Sequence, residues 1–198
     1  MTKTVDTTKR SARLTNEELL LDAAERLLVE IGYAGITTRR LAEAAGVNHG
    51  LVHYYFGSME ELLLQVLERF TARLIERQTA MYQADEPFLD KWRTAMNWLE
   101  EDVHAGYPKV WWELQAMAWN HPEMRERLVE VDAEWRSLLR GHFASALDEY
   151  GIDFPLDATV SLVIAFNKGI QIEQLSGITT GHRELLGWID GWLEERAA

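Results

Sequence analysis

Cysteine is absent from all 198 residues. That excludes disulfides, thiolate metal sites and cysteine nucleophiles, and it suits a reducing compartment, so a cytoplasmic protein is expected. Proline occurs only four times, at 87, 108, 122 and 155, each between apolar-periodic stretches where a helix starts or stops. No window approaches the roughly 20 apolar residues of a membrane span, and the opening MTKTVDTTKRSARLTNEELL has no apolar core of a secretory signal. A membrane partner is not expected. No glycine-rich phosphate loop or metal triad is found either. Glu100 and His104 are four apart, but no nucleophile joins them, and such a pair is usually a helix-surface contact. No catalytic residue, metal or cofactor is expected, and the chain does not read as an enzyme.

Positive charge is also scarce, with 20 Lys and Arg against 32 Asp and Glu and a net charge of -12. A strongly acidic chain is a poor phosphate binder unless its charge is unevenly placed. It is unevenly placed. Residues 1–57 hold seven basic and seven acidic side chains, so the remainder carries the whole excess. Two jobs in one chain are implied.

What is present is helical periodicity, in a composition that is 47% hydrophobic and able to build a core without staples. No sustained two-residue alternation occurs. After a mildly basic arm, expected to be flexible over residues 1–14, Thr15-Asn16-Glu17-Glu18 has capping-box spacing and predicts a helix start. Leu20, Ala23, Ala24, Leu27, Leu28 and Ile31 give it one buried face, and Gly32 a stop. Thr37 or Thr38 can cap a short second helix ending at Gly46. Asn48 can cap a third helix to about Tyr55. Ser58-Met59-Glu60-Glu61 repeats the capping box and opens a long fourth helix to about Tyr82. Five more helices are expected, over about 87–104, 108–119, 122–150, 155–176 and 181–196. The predicted fold is all-α with about nine helices. A three-helix domain at 15–57 is joined through the long fourth helix to a larger helical domain at 58–198.

Two short helices around a glycine turn make a helix-turn-helix, whose second helix enters the major groove. In VNHGLVHYYF, Val47, Leu51, Val52 and Phe56 can pack inward, while His49, Gly50, His53, Tyr54 and Tyr55 can face DNA, although either tyrosine could instead be a core aromatic. His49 and His53 also have zinc-site spacing, but no third ligand is evident. The stretch TTRRLAEAAGVNHGLVHYYFGSMEELL closely resembles the signature of the TetR family of bacterial repressors, with its Thr-x-x-x-Leu-Ala-x-x-Ala-Gly-Val core, aromatic-Phe ending and Ser-x-Glu-Glu-Leu helix start. The resemblance covers about Leu14 to Leu67. It implies double-stranded operator DNA as partner, with Thr38, Arg39, Asn48, His49, Gly50, His53, Tyr54 and Ser58 at the interface. His53 stands where the family commonly has a phosphate-contacting Tyr, and Met59 where it commonly has Lys. The missing charge would then come from Lys9, Arg10 and Arg13 in the arm.

The acidic part is rich in aromatics. Trp92, Met96, Leu99 and Val103 form a helical stripe, which is the ordinary mark of a core face. Together, the Trp and Met residues between helices also suit a largely apolar pocket. The resemblance places an effector there, near Trp92, Met96, Trp111, Trp112 and Met117. Asn167 and Gln171, on an otherwise apolar helix, are candidate polar anchors or, equally, helix-helix or dimer contacts. Val160, Ile164, Ile170, Ile172, Leu175, Leu185, Leu186, Trp188, Ile189, Trp192 and Leu193 give the last two helices enough apolar surface for a two-fold homodimer interface. The expectation is a repressor released from DNA by a hydrophobic small molecule. The alternative is a DNA-binding adaptor or nucleoid protein with the same head and no effector.

Overall fold

The computed structural model describes the backbone of residues 4–197 and the side chains of residues 16–197. Among these the chain forms nine α-helices and no strand: α1 (Thr4–Ile31), α2 (Thr38–Ala45), α3 (Gly50–Phe56), α4 (Met59–Gln83), α5 (Phe88–Ala105), α6 (Tyr107–Ala118), α7 (Pro122–Glu149), α8 (Leu156–Leu175) and α9 (His182–Ala197). A single 3-10 turn at Tyr33–Gly35 separates α1 from α2. None of the described helices is long and apolar enough to cross a membrane.

Local chemistry sets the boundaries. Thr37 Oγ1 accepts from the Arg40 N–H at 3.2 Å, and Ser58 Oγ accepts from the Glu61 N–H at 3.0 Å. Each satisfies a donor that the first helical turn leaves unpaired. Gly46 ends α2 at φ +68°, in the left-handed region that favours glycine. Pro108 and Pro122 occupy first-turn positions of α6 and α7, where a missing N–H costs nothing. One expected boundary is corrected. α1 does not begin at Thr15 but runs from Thr4, because no proline or glycine interrupts the chain between them and the Thr15–Glu18 spacing falls inside a continuing helix.

The helices enclose three apolar clusters. In the first, α1 to α4 pack with α6 and the start of α7, and Leu20, Leu28, Leu41, Val52, Leu62, Leu63 and Leu67 are wholly hidden from solvent. Each such side chain contributes roughly 1.5–3 kcal/mol by burial. Farther along α4, Met81 and Tyr82 join Leu139, Phe143, Val160 and Ile164 in a second cluster, and Leu89, Trp92, Tyr150 and Leu193 form a third. α4 therefore runs through both ends of the molecule. Ion pairs orient it: Arg69 contacts Asp22 and Glu25 of α1 at 2.6 and 2.7 Å, Arg73 contacts Glu25 at 2.7 Å, and Arg127 of α7 contacts Glu61 and Glu68. These groups are partly exposed, so each pair is worth only about 0–1 kcal/mol, and their effect is registry more than stability.

Of the residues expected to make the last two helices apolar outside, Val160, Ile164, Ile170 and Leu193 are buried within the protomer. Val160 and Ile164 pack toward α7, and Leu193 packs toward α5. Ile172, Leu175, Leu185 and Trp188 do remain exposed, joined by Phe154, Leu162 and Ile178, while Leu186, Ile189 and Trp192 are half-buried. Exposed apolar surface is thus concentrated on α8, α9 and the segments beside them.

Candidate nucleic-acid interface and the cavity behind it

The glycine turn between α2 and α3 presents one polar surface. Arg39, Asn48, His49, Gly50, His53 and Tyr54 are all exposed, with Tyr54 at 64% and the Arg39 side chain at 86%. Thr38 and Ser58 are half-buried at the edges. Leu41, Ala42, Val52 and Phe56 fill the opposite face. Asn48 Oδ1 accepts from the Gly50 N–H at 2.8 Å, closing the turn into α3 as a capping side chain should. His53 Nδ1 donates to the Gly57 carbonyl at 2.9 Å, which leaves Nε2 of the exposed neutral ring as an acceptor suited to a base-edge donor. Among the described residues Arg39 pairs with the exposed Glu43 at 3.5 Å, a contact weak enough to exchange for phosphate. Arg40 instead donates to the Gly35 carbonyl at 3.2 Å and serves the turn. Tyr55 corrects the outward-facing expectation: it is half-buried and packs on the first cluster, because it follows Tyr54 by the 100° that separates neighbours on a helix. The side chains of Lys9, Arg10 and Arg13 lie outside the described residues.

Behind this head, α4 to α8 enclose a cavity of about 100 Å³. Leu74, Leu99, Leu139, Phe143 and Ile164 make much of its apolar wall, and Trp92, Met96, Trp111, Asn167 and Gln171 line it as well. Those last five were all anticipated from sequence. Trp112 and Met117 do not reach it; they are half-buried against the first cluster, on the other side of α6. Sequence reasoning missed the charged members, Asp102, Asp132 and Lys168, whose partners are far away in the chain. Arg77 grips Asp102 with contacts of 2.7 and 2.8 Å. Lys168 and Arg136 hold Asp132 at 2.5 and 2.7 Å, and the Lys168 ammonium lies 4.7 Å from the centre of the Trp111 ring. Burial pushes the Asp102 carboxyl above the ordinary carboxylate range despite Arg77. Burial also opposes ionisation of Asp132, but hydrogen bonds from Lys168 and Arg136 outweigh it and hold that carboxyl below its usual value. Burial raises the Tyr107 hydroxyl, which lies 3.5 Å from Thr71 Oγ1. Two polar atoms carried by lining residues, Trp111 Nε1 and Asn167 Oδ1, are buried without a hydrogen-bond partner among the described residues.

α6 joins the two regions. Its Tyr107 and Trp111 line the cavity. On the same helix, Lys109 Nζ donates to the Val29 carbonyl at 2.8 Å, and Glu113 accepts from the Tyr33 N–H at 2.6 Å. Both partners sit where α1 ends and the turn toward α2 begins. Just ahead of α6, Gly106 has φ +88°, and a Cβ there would meet Val29 Cγ2 at 2.4 Å. Only glycine lets the two chains come this close.

Residues 20–66 match the family model described as bacterial regulatory proteins, tetR family. Over 180 residues, covering 89% of this chain and 92% of the relative, the sequence is 23% identical to the HTH-type transcriptional repressor AcnR of Corynebacterium glutamicum. A TetR-family transcriptional regulator from Rhodococcus sp. shares the fold at a TM-score of 0.71 and 23% identity, covering 89% of this chain and 97% of that one. The transcriptional regulator FadR of Bacillus subtilis, solved in complex with stearoyl-CoA, shares it at a TM-score of 0.72 and 16% identity, covering 89% and 96%.

Proposed function

The chain belongs to the TetR family of bacterial regulatory proteins, and from that premise we propose that it is a homodimeric, ligand-responsive repressor that leaves its operator when a hydrophobic small molecule fills the cavity behind the head. The observation that carries this reading is the double duty of α6. It lines the cavity with Tyr107 and Trp111 and holds the end of α1 through Lys109 and Glu113. A ligand that shifts α6 must therefore load the junction to α2 and α3.

The exposed apolar residues of α8 and α9 support self-association, and a two-fold axis there would present two α3 helices to a pseudo-palindromic site. On each half-site, Arg39, His49, Gly50, His53 and Tyr54 meet the DNA, with Thr38, Asn48 and Ser58 at the margins. Location in the cytoplasm follows from the operator as partner.

Genome-wide footprinting identifies the operator, and fluorescence anisotropy on that DNA then measures binding with and without metabolites linked to the controlled genes. Release by a metabolite, with a dimer in sedimentation, is the expected result. A chain that stays on its operator under saturating metabolite would be an adaptor with no effector, and a monomer on DNA would remove the two-fold geometry.

A further inference from the structure

We infer that the effector is electrically neutral at its polar end, a mainly apolar molecule carrying a carboxamide or similar group that both accepts and donates a hydrogen bond. The inference rests on the cavity being the effector site. Three charged residues face the cavity, Asp102, Asp132 and Lys168, and each is already compensated by the protein: Asp102 by Arg77, and Asp132 by Lys168 together with Arg136. An anionic ligand would have to draw Lys168 from both Asp132 and the Trp111 ring, and would face two carboxylates. A cationic ligand would have to displace Lys168 or Arg77 from contacts of 2.5–2.8 Å. Both exchanges strand a partly buried charge, the costly way to break such a pair.

The unmet demand is neutral. Trp111 is only 5% exposed, and its indole N–H is a buried donor with no acceptor among the described residues. Asn167 Oδ1 is a buried acceptor with no donor among the described residues. Leaving such groups unpaired is expensive, and a ligand that satisfies them recovers that cost. A carboxamide offers its C=O to Trp111 and its N–H to Asn167, while the rest of the molecule meets Leu74, Trp92, Leu99, Leu139, Phe143 and Ile164.

The test uses three probes with one aromatic body and different head groups: benzamide, benzoate and benzylammonium, titrated by calorimetry into the full-length chain at neutral pH. Benzamide is expected to bind at least tenfold tighter than either ion. Trp111→Phe, which keeps a ring and removes the N–H, and Asn167→Ala, at a half-buried site tolerant of change, should each weaken benzamide about fivefold or more while leaving the weak binding of the ions unchanged. If benzoate or benzylammonium binds as tightly as benzamide and Trp111→Phe abolishes that binding, the neutral head group is wrong and the effector cavity stands. If none of the three binds, both the head group and the cavity assignment fall.

Discussion

The leucines and valines wholly hidden from solvent, among them Leu20, Leu28, Leu41, Val52, Leu63 and Leu114, belong to the cluster that carries the reading head. In the two clusters behind it the best-hidden members, Val160 and Tyr150, keep 2% and 4% exposure. The same chain thus packs the α1 to α3 end solidly, while farther along α4 the helices part around a cavity whose wall also takes Leu74, Tyr107 and Trp111 from the first cluster. A dense core resists deformation, whereas side chains that border a void can shift at lower cost. Under the proposed function, the difference assigns constancy to the surface offered to DNA and compliance to the helices around the cavity.

Core truncation is the strongest way to break this contrast. Leu63→Ala should cost about 3–5 kcal/mol and Leu139→Ala, beside the cavity, only about 2, read by urea denaturation. Equal losses would mean that the two regions are packed alike. Next in size, Arg39→Ala and His49→Ala should each weaken operator binding by about 1–3 kcal/mol at fixed salt, without moving the thermal midpoint. If both variants bind as tightly as the parent, α3 is not the reading helix in the orientation described. Glu113→Gln tests the connection between the regions. It should lower stability by about 1 kcal/mol or less, yet raise several-fold the ligand concentration needed for release. An unchanged release curve would leave α6 as packing alone. The smallest effect is a gain: Met59→Lys, at the start of α4, should tighten operator binding about threefold and steepen its salt dependence by close to one counterion. No change in that slope would place Met59 away from the phosphates.

The sequence made the head legible because its signals are local. The cap of Ser58 on Glu61, the cap of Thr37 on Arg40 and the left-handed Gly46 each act within four residues, and each is found in place. Thr15 shows the limit of such signals, since a capping pair inside an uninterrupted helical stretch does not start a helix. In α6 the error was one of angle. Trp111 and Trp112 are adjacent and about 100° apart around the helix, so they cannot both face the cavity; Tyr107, four residues before Trp111, shares its side. That spacing was readable. The charges of the cavity were not, because Asp102 is matched by Arg77 and Asp132 by Lys168 across separations of 25 and 36 residues that only the tertiary fold brings together.

The close approach of Gly106 to Val29 has a mechanical consequence. Lys109 and Glu113, the two grips on the head, flank Trp111 within a rise of about 6 Å along one helix. There is no lever arm between input and output. Under the proposed function, a displacement of the Trp111 indole is passed to Tyr33 along this one short stretch of helix, and molecules of graded width are expected to act as graded, not all-or-none, inducers.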